Sequence, residues 1–146
     1  MLTKGQVAFS GLVPGLKGLI KAWEPGPLQT ELRFRDSFLS FLRANVPADC
    51  RVEREYRHHG TTIDIFLEWR GLVFNDEIYF EVKRNLNKKP MLDRLVGQVE
   101  SLQPGKHTIL ILLIGDTDPA LLQRLKAKYA AYEESQYEKP IAVVLK

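Results

Sequence analysis

The segment Ile109-Leu110-Ile111-Leu112-Leu113-Ile114 is apolar at every position. Successive strand side chains point to opposite faces, so residues 107–114 read as a buried strand covered on both sides, in a sheet with helices packed on it. The run falls far short of the roughly 20 apolar residues that cross a bilayer as a helix, and no clean apolar stretch in the chain is longer.

The covering layers are legible on either side of that strand. Leu28, Leu32, Leu39, Leu42 and Val46 recur at helical spacing, Phe38 and Phe41 widen the stripe, and Pro47 ends it; this predicts a helix over 30–46. Three extended segments follow, over 51–57, 61–69 and 77–84. In the second, Ile63, Ile65 and Leu67 are expected on one face and Thr62, Asp64, Phe66 and Glu68 on the other. In the third, Ile78, Phe80 and Val82 oppose Tyr79, Glu81 and Lys83. His58-His59-Gly60 reads as a turn, and the short connection over 70–76 makes the second and third segments an antiparallel hairpin.

A basic loop over 85–90 leads into a helix over 91–102 with the stripe Leu92, Leu95, Val96, Val99 and Leu102, ended by Pro104-Gly105. Asp118-Pro119 starts another helix, carrying Leu121, Leu122, Leu125, Tyr129 and Tyr132, and 141–145 is a last strand. The order αβββαβ plus a C-terminal helix and strand is an α/β domain, a mixed β-sheet flanked by helices. Residues 1–27, rich in glycine and ending Glu24-Pro25-Gly26-Pro27, read as an N-terminal arm or short helix before a turn, which leaves 28–146 as the domain.

A chain of 146 residues suits one domain. Its single cysteine, Cys50, excludes an internal disulfide and a cysteine-based zinc site, reads as a structural thiol, and fits a reducing cytoplasmic setting. Lys17, Lys21 and Pro14 break up any signal-peptide reading, so a soluble protein with no membrane partner is expected. The net charge is only +3, but residues 83–106 hold six basic and two acidic residues. That local field attracts polyanions, although a solvated charged face has the same composition.

The acidic residues carry the chemistry. Asp64 interrupts an apolar strand centre, and Glu81 and Lys83 interrupt another. If Arg70 pairs with Asn75 around a four-residue tip, Asp64 falls directly opposite Glu81. Opposed residues sit about 4.5–5.5 Å apart at Cβ, and two carboxylates that close either share a proton or hold a cation. Magnesium takes one or two carboxylates plus waters and phosphate oxygens. Lys83, two residues on and on the same strand face, reaches a water or a phosphate oxygen that gains charge in the transition state. Two carboxylates and a lysine around a cation make a phosphodiester-hydrolysing site; the same residues on the wet face of a sheet would be a surface ion pair.

Asp64, a gap of sixteen residues, then Glu81-Val82-Lys83, between a preceding helix and a following helix–strand unit, resembles the PD-(D/E)xK nuclease superfamily, with its restriction-endonuclease-like core. The likeness spans about residues 30–114; Ile63 stands where the namesake proline would be. The resemblance implies that Asp64 and Glu81 bind Mg2+ (or Mn2+), with the Val82 carbonyl as a further ligand, and that Lys83 orients or activates the attacking water. It implies a supporting glutamate on the first helix, for which Glu31 fits better than Glu24, and a glutamine on the helix after the Glu-x-Lys strand, which is Gln98. An acid in a first helical turn is also favoured by the helix dipole, so Glu31 has a structural reading too.

Arg84, Lys88, Lys89 and Arg94 flank the site and are the candidates for backbone phosphate contacts with DNA. Trp23 and Trp69 either stack on bases or fill the core. His58 and His59 point oppositely in extended chain and do not suit one metal ion. The glycine-rich 11–17 stretch lacks the spacing of a phosphate-binding loop. The expectation is therefore a metal-dependent endodeoxyribonuclease and a homodimer, with a structure-selective Holliday-junction resolvase of the same superfamily as its sub-hypothesis. An RNA-directed nuclease and a non-catalytic nucleic-acid-binding or assembly module stand as alternatives.

Overall fold

The apolar run becomes strand β4 (Thr108–Ile114), buried at all seven positions. A computed structural model of the chain describes residues 1–27, 30–58, 60–134 and 138–146, without the side chains of His58 and Glu134. Leu28 of the expected stripe and His59 of the expected turn lie outside the described residues. Around β4 stand β1 (Arg51–His58), β2 (Thr61–Arg70), β3 (Asn75–Arg84) and β5 (Ile141–Leu145) in one sheet of order β1-β2-β3-β4-β5. The first three pair antiparallel; β3, β4 and β5 pair parallel, with helices α4 (Lys89–Ser101) and α5 (Pro119–Glu134) as the crossovers. The sheet is mixed and open, and the architecture is α/β.

Alternation along β3 and β4 sorts the core into two layers. Ile78, Phe80, Val82, Leu110, Leu112 and Ile114 pack with α3 (Glu31–Asn45) and the N-terminal helices. Tyr79, Ile109, Ile111 and Leu113 pack under α4 and α5, through Leu92, Leu95, Val99, Leu121 and Leu125. Thr30 caps α3 by accepting the Arg33 N–H at 3.1 Å, and the buried face of α3 is Phe34, Phe38, Leu39 and Leu42. Phe34 takes the place expected for Leu32, which is half exposed. The loop expected over 85–90 is shorter, because Pro90 sits in the first turn of α4, where its missing N–H costs nothing.

Where an arm or short helix is expected over residues 1–27, the structure has helix, and two of them. These are α1 (Lys4–Ser10), closed by a capping box between Thr3 and Gln6, and α2 (Leu12–Ala22). Leu2, Val7, Leu12, Leu16, Leu19, Ile20 and Trp23 join the α3 layer. Gly15 permits this docking, since a Cβ there would lie 2.9 Å from Leu2 Cδ1. Trp23 and Trp69 are buried, Trp23 against Phe38 with ring centroids 5.1 Å apart, so neither presents a base-stacking face.

One expected alternation fails, and it fails beside the site. Ile65, Leu67 and Trp69 face α3, whereas Ile63 joins Phe66 and Tyr56 in the other layer. β1 changes face at the same level, between Val52 and Tyr56. The β1–β2 ladder runs from Arg51↔Glu68 to Arg54↔Ile65 and resumes at Tyr56↔Ile63, omitting Glu55 and Asp64. Glu55 takes φ 52°, a left-handed conformation that side chains other than glycine seldom adopt.

Candidate functional site

The hairpin register is the one the spacing predicts: Arg70 pairs with Asn75 and Ile65 with Phe80. One step further, at Asp64 and Glu81, β2 and β3 part. Asp64 bridges the opening with its side chain, Oδ2 accepting the Val82 N–H at 2.9 Å. Val82 thus reaches Asp64 through its N–H, and its own side chain lies in the α3 layer.

Glu81 is 1% exposed, and neither carboxylate oxygen accepts a hydrogen bond among the described residues. Burial, then the negative charge of Asp64, push its pKa up to about 9, while the Lys83 ammonium pulls the other way. A carboxyl that keeps its proton can share it with Asp64, which reconciles an orphaned carboxylate with a hydrogen-bonded acid. Asp64, Glu81 and the half-buried Lys83 therefore act on one another at a single fork of the sheet.

A fourth group was not foreseen. Arg35 of α3 donates from Nη1 to Asp64 Oδ1 at 3.0 Å, and its Nη2 lies 3.5 Å from Glu55 Oε1. Its side chain is 18% exposed and its Nε is buried without a partner. Only its place one helical turn after Glu31 could have drawn attention to it in the sequence.

Glu31 sits close by but not with the acidic pair. Its Oε1 accepts the Arg84 N–H at 3.1 Å, tying the start of α3 to the end of β3, and the Arg84 guanidinium lies 5.9 Å from the Phe34 ring centroid. Glu24 is exposed within the α2–α3 connection. Gln98 is half-buried on α4 with Oε1 orphaned. Lys88, Lys89 and Arg94 are exposed at the start of α4; Lys89 faces Asp93 at 3.9 Å. Cys50 is half-buried, its thiol pushed up chiefly by burial and its Sγ accepting the Arg70 N–H at 3.4 Å, which makes it a structural thiol.

The donor set suits a hard divalent cation. Two carboxylates face each other across the fork, and the orphaned oxygens of Glu81 are the kind of buried group a cation would satisfy. Among the described residues no group of three His, Cys, Asp or Glu stands ready to hold one, so water and substrate oxygens would complete the shell, as magnesium prefers. Among the described residues, too, no helix is long and apolar enough to cross a membrane. Compared with protein-family models, curated proteins and solved structures, the chain finds no match.

Proposed function

We propose that the chain is a magnesium-dependent DNA endonuclease of the PD-(D/E)xK type, with residues 30–114 as a restriction-endonuclease-like core. The observation that carries this reading is Glu81, a buried carboxyl left unsatisfied among the described residues except by its interactions with Asp64 and Lys83. A stable fold has no use for so costly an arrangement unless something completes it.

Asp64 and Glu81 are the ligands in this reading, and the Val82 N–H fixes the angle of Asp64. A divalent cation, when bound, offsets their charge and that of the phosphate and makes water a better nucleophile. Lys83 holds the attacking water or a phosphate oxygen, where its charge is worth most as negative charge develops. Lys88, Lys89 and Arg94 hold the flanking backbone without reading sequence. The exposed apolar tip of the β2–β3 hairpin, Leu72, Val73 and Phe74, supports self-association into a dimer able to make paired incisions.

A second reading is favoured by Arg35: it already supplies Asp64 with a positive charge, as a non-catalytic nucleic-acid-binding or assembly module would require. A cleavage panel over duplex, single-stranded, nicked and four-way DNA with Mg2+ or Mn2+ separates the two. Asp64→Ala, Glu81→Ala and Lys83→Ala are each expected to lower cleavage by at least about 100-fold with the fold retained. Undiminished cleavage by the Asp64 and Glu81 variants refutes the assignment, and no metal-dependent cleavage of any substrate leaves the module reading.

A further inference from the structure

Arg35 sits where a cation would have to go. Its guanidinium takes Asp64 Oδ1, while the other oxygen of Asp64 is used by the Val82 N–H. Both oxygens of Asp64 accept from protein donors, whereas among the described residues neither oxygen of Glu81 has a partner beyond its interaction with Asp64. A divalent ion bridging the pair would therefore compete with the Arg35 guanidinium for the negative charge of Asp64. The arginine also has somewhere else to go: Glu55 Oε1 is 3.5 Å from Nη2, on the rim, where the Glu55 side chain is 55% exposed. That second berth exists because β1 and β2 leave Glu55 and Asp64 out of their ladder, so both side chains turn toward α3.

Resting on the nuclease reading above, we propose that Arg35 is a resident counter-cation: it holds Asp64 in place while the site is metal-free and is exchanged for the divalent ion, moving toward Glu55. Arg35 is thus a positioning residue that keeps the ligand in register and sets the metal concentration at which the site fills. The exchange is a competition, so the contact that steadies Asp64 weakens metal binding by the same free energy.

The test is calorimetric titration of the full chain with Mn2+, with no nucleic acid present. Arg35→Gln is expected to tighten binding about 10-fold, the scale of one partly screened charge-assisted contact. Arg33→Gln removes an equal charge from an exposed position on the same helix and is expected to change affinity by less than about 2-fold. Glu55→Gln removes the second berth; it should weaken Mn2+ binding in the wild-type background far more than in the Arg35→Gln background, a coupling that a purely structural arginine would not show. Arg35→Lys keeps a charge with one contact and should fall between wild type and Arg35→Gln, which keeps the comparison available if the glutamine variant does not fold. Equal affinity in wild type and the Arg35 variants, or an Arg33→Gln effect as large as Arg35→Gln, overturns the exchange and leaves the nuclease reading intact. No Mn2+ binding by any of these proteins overturns both.

Discussion

Replacing Glu81 with glutamine should make the metal-free protein more stable. The folded state holds Glu81 with its pKa raised from an ordinary 4.5 to about 9, first through burial and then through Asp64. A raised folded-state value means the folded protein binds a proton that the unfolded chain has released. The stability this group contributes is complete below about pH 4.5 and drains away as pH climbs toward 9. At 1.36 kcal/mol per pH unit, the rise from 4.5 to pH 7 costs about 3 kcal/mol. Glutamine has nearly the same shape, carries no proton to lose, and presents an N–H2 that Asp64 can accept. With Glu81 1% exposed, solvent screening reduces the figure little. Glu81→Gln should therefore gain up to about 3 kcal/mol at pH 7, about 6–12 °C in melting temperature for a chain of this size. The advantage should shrink to nothing near pH 4.5. Thermal melts in chelator from pH 4 to 9 measure it directly. Added Mn2+ should reverse the order, because only the wild type retains both ligands and gains the linkage. Parallel stability curves across the pH range, or a variant less stable than wild type at pH 8, refute the reasoning about the buried pair.

Two further outcomes follow from the geometry around the fork. Glu31→Ala removes the acceptor for the Arg84 N–H and should cost about 1 kcal/mol in urea denaturation, with cleavage falling far less than in Asp64→Ala; complete loss of cleavage would make Glu31 a ligand after all. Deleting residues 1–22 strips six buried aliphatic side chains from the α3 layer, a loss of about 10 kcal/mol that matches the whole stability of an ordinary domain. The truncated chain should show no cooperative transition, and a sharp melt from it would refute the contribution of these helices to the core.

What the sequence discloses depends on how local its cause is. The all-apolar β4 and the stripe of α3 need only periodicity, and the β2–β3 register needs only the tip length, so Asp64 opposite Glu81 is readable from spacing. The N-terminal helices are not, because Pro14, Gly11 and Gly15 are breakers by composition. Pro14 escapes by lying in the first turn of α2, and Gly15 lets the Leu2 side chain pack close, a contact that only the tertiary fold creates. Arg35 is hidden for a similar reason. A charged residue on the polar side of an amphipathic helix looks like solvated surface until the neighbouring sheet is seen to carry a carboxylate at its reach.

The failed alternation in β2 and the site have a common origin. Had β2 kept its period of two, Ile63 would have continued the face of Ile65, and Glu55 would have met Asp64 in an ordinary ladder pair. Instead both strands change layer at that pair, and the Val82 N–H, which a longer β2–β3 ladder would have left to backbone, is taken by the Asp64 carboxylate. The break opens the fork, gives Arg35 and Glu55 their places, and leaves Glu81 buried against Asp64. The irregularity at Asp64 is therefore the structural cause of the fork, and a substitution that restored regular pairing there should remove it.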